Sequence, residues 1–301
     1  MPKKRRRKSA FVDKVVYLIF MAAGTFVRCL DHSHAAMVSR FAAHVAYHVL
    51  KVRRDLAERN IALAFPEKSR EEVDRIVKQV YCNLAENVVE VLRLPLVRTA
   101  EDAASLVDID TRYFRSVSSG RTAGAVLVSA HFGNWELLGV AFGHLVGPMT
   151  VVAKRLKNAE IDREINRLRA ISGNTVVYKR QALREGLRRL RQGGIMSILA
   201  DQSDPKGGFF TGFLGRKSSV FLGPAFLALK TGVPLFVCIC RRTGKGRYAM
   251  EFEEIDHSDL GPTRSDAEEL ARRYTRVLER YIRCYPEEWF WLHNRWKRGG
   301  G

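Results

Sequence analysis

Cysteine is scarce in this 301-residue chain: Cys29, Cys82, Cys238, Cys240 and Cys284 are scattered and odd in number. That argues against a disulfide framework and fits a reducing compartment. Cys238 and Cys240 lie in LFVCIC, which reads as a buried strand, and no second His or Cys pair stands at zinc-ligand spacing. Acidic residues are also short, 32 against 51 basic ones, for a net charge of +19. Such a field suits polyanionic partners, among them nucleic acid, anionic membrane, phosphorylated lipid or an acidic carrier protein, without choosing between them. Phosphate-cradling glycine motifs are absent: neither GxxxxGK[ST] nor GxGxxG occurs. Internal repeats are lacking too. Hydrophobic residues at 46% and charged residues at 28% are globular proportions, which excludes disorder, collagen and coiled coil. The length allows one large domain or two small ones.

The chain opens with KKRRRK, Lys3 to Lys8, and the uncharged run VVYLIFMAAGTFV follows from Val15 to Val27. At 1.5 Å per residue that run covers about 20 Å, short of the ~30 Å hydrocarbon core. A secretory signal has this order of charge and apolarity, but no convincing A-x-A cleavage site follows the apolar run. A nuclear-targeting or nucleic-acid arm explains the basic cluster and not the apolar helix. A membrane anchor explains both, with the basic cluster on anionic headgroups at the cytoplasmic side. A plain core helix is the fourth reading. His44 and His48, one helical turn apart in a second apolar stretch, suit a metal pair or packed interfacial rings, and no third ligand lies nearby.

From Lys51 onward the pattern is soluble. Ser69 and Glu72 form a capping box opening a long helix whose apolar stripe runs Val73, Ile76, Val77, Val80, Leu84, Val88, Val91, and Pro95 stops it. Strands are expected at AVLVSA, MTVVA, NTVVY, IMSILA, PLFVCIC and RYAMEFEEI, with helices at WELLGVAFGHL, about 159–171, 181–192, PAFLALK and 265–284. This alternation predicts an α/β fold: one domain with a mostly parallel central sheet flanked by helices, over 51–298, behind a basic arm and membrane-anchoring helix over 1–50.

HFGNWE, His131 to Glu136, directly follows a strand. Gly133 permits a sharp turn, and Asn134 is a good N-cap for a helix starting at Trp135. That turn can fold Glu136 back onto His131, where a carboxylate on one imidazole nitrogen makes the other a base for an alcohol. The free N–H groups of the helix N-terminus suit an oxyanion. A capped helix with a packed histidine is the plainer alternative. A second constellation spans 200–225. Asp201-Gln202 ends a strand, where α/β proteins build their sites. Gly207, Gly208, Gly212 and Gly215 alternate with aromatics, and Arg216-Lys217 suit a phosphate. The plainer alternative there is a hairpin with a surface basic pair. The arginines of the two basic helices form either a solvated face or a docking surface for something acidic.

Together these residues resemble a known family. HFGNWE is similar to the H-x4-E/D motif of the late lipid A (lauroyl/myristoyl) acyltransferases, within the lysophospholipid-acyltransferase-like superfamily. RNIALAFPEKS, the helix with ENVVE, DQS…GGFFTGFLGRK…GPAFLALKTGVP and YPEEWFWLHNRWK resemble its other blocks, in its order, over about 12–297. The resemblance implies O-acyl transfer from acyl carrier protein to a hydroxyl of an anionic, phosphorylated lipid A precursor, on the cytoplasmic face of a bacterial inner membrane. It implies His131 as base and Glu136 as its orienting, charge-stabilising partner. Substrate contacts are implied at Asn134, Lys154, Arg155, Asp201, Gln202, Arg216 and Lys217, with no metal or other cofactor and no nucleic acid. Another acceptor, such as a mannosylated phosphoinositide or a lysophospholipid, is compatible with the same motif. A non-catalytic basic binding module is the alternative from a different class.

Overall fold

The architecture comes from a computed structural model, which describes residues 10–110, 124–204, 209–244 and 246–297. The Lys3–Lys8 arm, Gly207, Gly208 and the end of the expected domain at 298 lie outside those residues.

Helix α1 (Ala10–Cys29) extends the thirteen-residue apolar run at both ends, taking in Asp13, Lys14 and Arg28. Its 20 residues reach about 30 Å, and a mean hydropathy of 1.7 makes it long and apolar enough to cross a membrane. Only Gly24 and Val27 are buried along it. Helix α2 (His32–His44) is capped by Asp31, which accepts from the His34 N–H at 2.8 Å, and runs into a π-helical turn at Val45–Val49. There the His44 and His48 rings stack 4.4 Å apart. Phe11, Val12, Val16, Leu18, Ile19 and Phe26 of α1 stand exposed, as do Met37 and Phe41 of α2.

Helix α3 (Arg54–Ala64) precedes α4 (Arg70–Arg93), whose capping box closes with both of its hydrogen bonds, Glu72 N–H to Ser69 and Ser69 N–H to Glu72. The α4 helix ends at Arg93, ahead of Pro95. Its expected stripe packs on the core at Val73, Ile76, Val77, Val80, Leu84 and Val91 and departs at Val88, which is 60% exposed, while Asn83, Asn87, Val89 and Leu92 are buried as well. The second half of α4 has two partners instead of one. Val89 and Leu92 pack against Val27 and Ala35 of the N-terminal helices, and the two asparagines enter a polar cluster behind the HFG turn. Arg93 binds the carbonyls of Val27 and Leu30, tying α1 to the body.

After α5 (Ala100–Leu106) comes the sheet: β1 (Val107–Ile109), β2 (Ala125–Ser129), β3 (Met149–Ala153), β4 (Thr175–Tyr178), β5 (Ile195–Leu199), β8 (Leu235–Gly244) and β9 (Arg247–Glu254). The order is β1-β9-β8-β2-β5-β3-β4. All pairings are parallel except β8 with β9. Helices α6 (Trp135–Leu145), α7 (Ala159–Arg169), α8 (Ala182–Arg191) and α9 (Gly223–Thr231) connect successive strands, and α10 (Arg264–Cys284) follows β9. The expected α/β fold with a mostly parallel, helix-flanked sheet is therefore present. Every residue of β2 is buried, and Cys238 and Cys240 are core thiols of β8.

The glycine-rich stretch forms a separate antiparallel hairpin, β6 (Phe209–Phe213) and β7 (Arg216–Val220), turning at Leu214-Gly215, both with positive φ. Its Phe213 ring lies 5.5 Å from that of Trp289.

Candidate active site

Strands β2 and β5 are central neighbours in parallel register, Ser129 opposite Leu199, and the Ala200 N–H bonds the Ser129 carbonyl at 2.9 Å. Two residues beyond each strand stand His131 and Asp201. The register therefore brings together side chains 70 positions apart, at the carboxyl edge where parallel sheets place their sites. His131 Nδ1 lies 2.9 Å from Asp201 Oδ1, and Trp289 Nε1–H donates to Asp201 Oδ2 at 2.8 Å. Burial by itself would raise the Asp201 carboxyl. The positive charge His131 carries when protonated, its hydrogen bond and the bond from Trp289 outweigh burial and hold the group at about 2. An ionised carboxylate only accepts, so Nδ1 carries the proton and the Nε2 lone pair is left to act as a base. Gln202 Nε2 sits 3.4 Å from that lone pair, and the imidazole packs edge-on to Trp135 at 5.2 Å.

Asp201 thus holds the orienting position expected of Glu136. Both Glu136 oxygens are taken by the Arg169 guanidinium, Nε at 2.8 Å and Nη2 at 2.5 Å. The first turn of α6 turns Glu136 towards the end of α7, while Asp201 leaves the strand next to that of His131. The Glu136–Arg169 pair lines a cavity of about 50 Å3 with Trp135, Gly139, Val151 and Leu199.

The HFG turn is built from inside. Gly133 has φ +55°, and a Cβ there would run into the Cys240 carbonyl, so only glycine fits. Its N–H bonds the Glu288 carbonyl at 2.9 Å and its carbonyl accepts from Asn87 Nδ2 at 2.6 Å. Arg242 joins Asn87 and Glu288 behind it. Asn134 caps α6 through the Leu137 N–H at 3.0 Å and donates to Glu90, which also receives the Tyr248 hydroxyl at 2.5 Å. With its side chain buried and both its polar atoms engaged, Asn134 builds the turn. The Phe290 N–H bonds the His131 carbonyl at 2.9 Å, so the C-terminal block runs alongside the motif.

Among the other expected residues, Gln202 joins His131. Lys154 and Arg155 stand exposed just past β3, with Arg155 4.5 Å above the Tyr178 ring. Arg216 and Lys217 flank the hairpin tip, and Lys217 lies over Phe210. Trp289, Arg169, Asn87 and Glu90 had no signal in local spacing, although Trp289, Asn87 and Glu90 fall in blocks that carry the resemblance. His293, partly buried near Asp201, is held down at about 4 by burial. Between the ordinary value of 6.5 and about 4, the unfolded chain binds a proton that the folded chain refuses. The His293 contribution to stability is therefore complete above that window and falls as pH drops through it. Thermal unfolding at pH 7 and pH 5 should show a steeper acid loss for wild type than for His293→Gln; equal losses would remove His293 as the cause.

Comparison with known proteins places the whole chain. The chain is 27% identical over 289 residues to a phosphatidylinositol mannoside acyltransferase of Mycolicibacterium smegmatis, covering 94% of this chain and 92% of the relative. It is 26% identical over 259 residues to the lipid A biosynthesis lauroyltransferase of Escherichia coli, covering 84% and 82%. The palmitoleoyltransferase of the same organism is 23% identical over 256 residues, covering 82% and 80%. The family model described as bacterial lipid A biosynthesis acyltransferase matches residues 2–298, and the chain belongs to that family.

Proposed function

We propose that this acyltransferase moves a fatty acyl chain from the thioester of acyl carrier protein to a hydroxyl of a lipid A precursor. The observation that carries the mechanism is the His131 imidazole with Nδ1 on the ionised Asp201 and Nε2 directed away from it. Nε2 takes the proton of the acceptor hydroxyl, and the resulting alkoxide oxygen bonds to the thioester carbonyl carbon. Negative charge on the carbonyl oxygen meets the N–H groups of Trp135 and Glu136. The side-chain cap takes only the Leu137 N–H of that first turn. Collapse breaks the C–S bond, the imidazolium returns its proton to the departing sulfur, and an ester and a free thiol result. Asp201 stays ionised throughout and stabilises the imidazolium.

The exposed apolar faces of α1 and α2 support seating in a membrane, with Lys3–Lys8 on the anionic cytoplasmic headgroups of a bacterial inner membrane. The +19 charge suits both an acidic carrier and an anionic acceptor. A mannosylated phosphoinositide is the second acceptor, favoured by the near full-length match to the mycolicibacterial relative. Purified full-length protein in detergent, given acyl carrier protein or coenzyme A thioesters and each glycolipid, tests the choice by mass. A gain of one acyl group on the lipid A precursor is expected. Transfer only to the phosphoinositide replaces the acceptor, and transfer to no glycolipid overturns the proposal.

A further inference from the structure

Strands β3 and β4 form one edge of the sheet in parallel register, Ala153 opposite Tyr178, and the Lys179 N–H bonds the Ala153 carbonyl at 3.0 Å. The residues that follow, Lys154 and Lys179, therefore leave the sheet side by side. They do so at the same carboxyl edge as His131 and Asp201, since β3 is also paired to β5. At ~4.8 Å per strand, Lys179 starts two strands, or about 10 Å, from the strand that carries Asp201.

Both lysines are open to solvent, and neither makes an ion pair or a side-chain hydrogen bond among the described residues. Crowding by the protein and then the charge of Lys154 push the Lys179 ammonium below the ordinary lysine range, against the pull of Asp201 and Asp204. Arg155 is seated beside them on the Tyr178 ring, whose hydroxyl is fixed by Asp162 and Asn166. Two neighbouring ammonium groups that contact no carboxylate repel each other, and a phosphate placed between them turns that repulsion into two charge-assisted hydrogen bonds.

We infer that Lys154 and Lys179 form a phosphate-binding subsite at the β3–β4 edge of the active site, with Arg155 at its rim. The inference rests on the acyl-transfer reading and names the group that reading leaves unassigned. The phosphate is either that of a phosphopantetheine thioester on the donor side or that of the glycolipid acceptor. Both present the same oxyanion to the same pair.

The test compares wild type with Lys154→Gln, Lys179→Gln and the double variant, using substrates in matched pairs. Donors are acyl-phosphopantetheine and acyl-pantetheine; acceptors are a glycolipid with and without its phosphate. The double variant is expected to raise KM about ten- to hundredfold for the phosphorylated member of one pair, and Lys→Arg at both positions restores it. A rise confined to the donor pair assigns the phosphate to the donor, and one confined to the acceptor pair assigns it to the lipid. Unmoved KM values, or equal changes for both members of each pair, overturn the subsite while leaving transfer by wild type intact. If wild type transfers from no donor, the acyl-transfer reading fails on its own. Calorimetric titration of inorganic phosphate then decides the subsite: weaker binding by the double variant keeps it, and equal binding removes it.

Discussion

His131→Ala should lose nearly all turnover and keep its fold, and Asp201→Asn should lose almost as much. A positioned general base contributes about 10²–10⁴ in rate. Removing the carboxylate that fixes the tautomer of a histidine base costs about 10⁴ in a triad of the same logic. In Asp201→Asn, the new amide can donate to Nδ1 and drive the proton onto Nε2, the atom that must be empty. Trp289 would still find an oxygen, so the packing survives the substitution. Because base and orienter act as one unit, the double variant should be hardly worse than either single one. Single-turnover transfer, with thermal unfolding as the control for folding, measures this. Ordinary turnover by Asp201→Asn would return the orienting role to another residue.

Arg169→Ala should destabilise the protein by about 3 kcal/mol, because it leaves the Glu136 carboxylate half-buried without its bidentate partner. Glu136→Ala strands the guanidinium in the same way. The double variant Glu136→Ala/Arg169→Ala, with no charge left to strand, should recover most of the loss. Turnover should fall in both single variants, since Glu136 sits in the helix turn whose N–H groups we propose meet the oxyanion. Thermal unfolding of the three variants gives the cycle. Additive losses would show that the two side chains do not depend on each other.

The α/β alternation was legible because each strand is a short apolar run bounded by turn residues, and the helices announce their caps; Ser69-Glu72 and Asn134 are examples. His131 was legible for the same local reason, a histidine between a strand end and a helix N-cap. Its partner was not. H-x4-E spacing favours the carboxylate near in sequence, whereas the Ser129–Leu199 register selects Asp201. Sequence reading placed Asp201 beside the site but could not place it on Nδ1. Similarly, the Val88 error on α4 arose because an apolar stripe assumes one packing partner, and this helix has a second one made of polar side chains. Arg169 lies 33 residues from Glu136, at the far end of a different helix, so no local periodicity could have joined them.

Mass spectrometry of the membrane glycolipids of cells lacking this protein, complemented with wild type or with His131→Ala, tests the central claim most directly. The account predicts a glycolipid lighter by one acyl group, restored by wild type and not by His131→Ala. Full restoration by His131→Ala, or glycolipids and phospholipids identical with and without the protein, would contradict it.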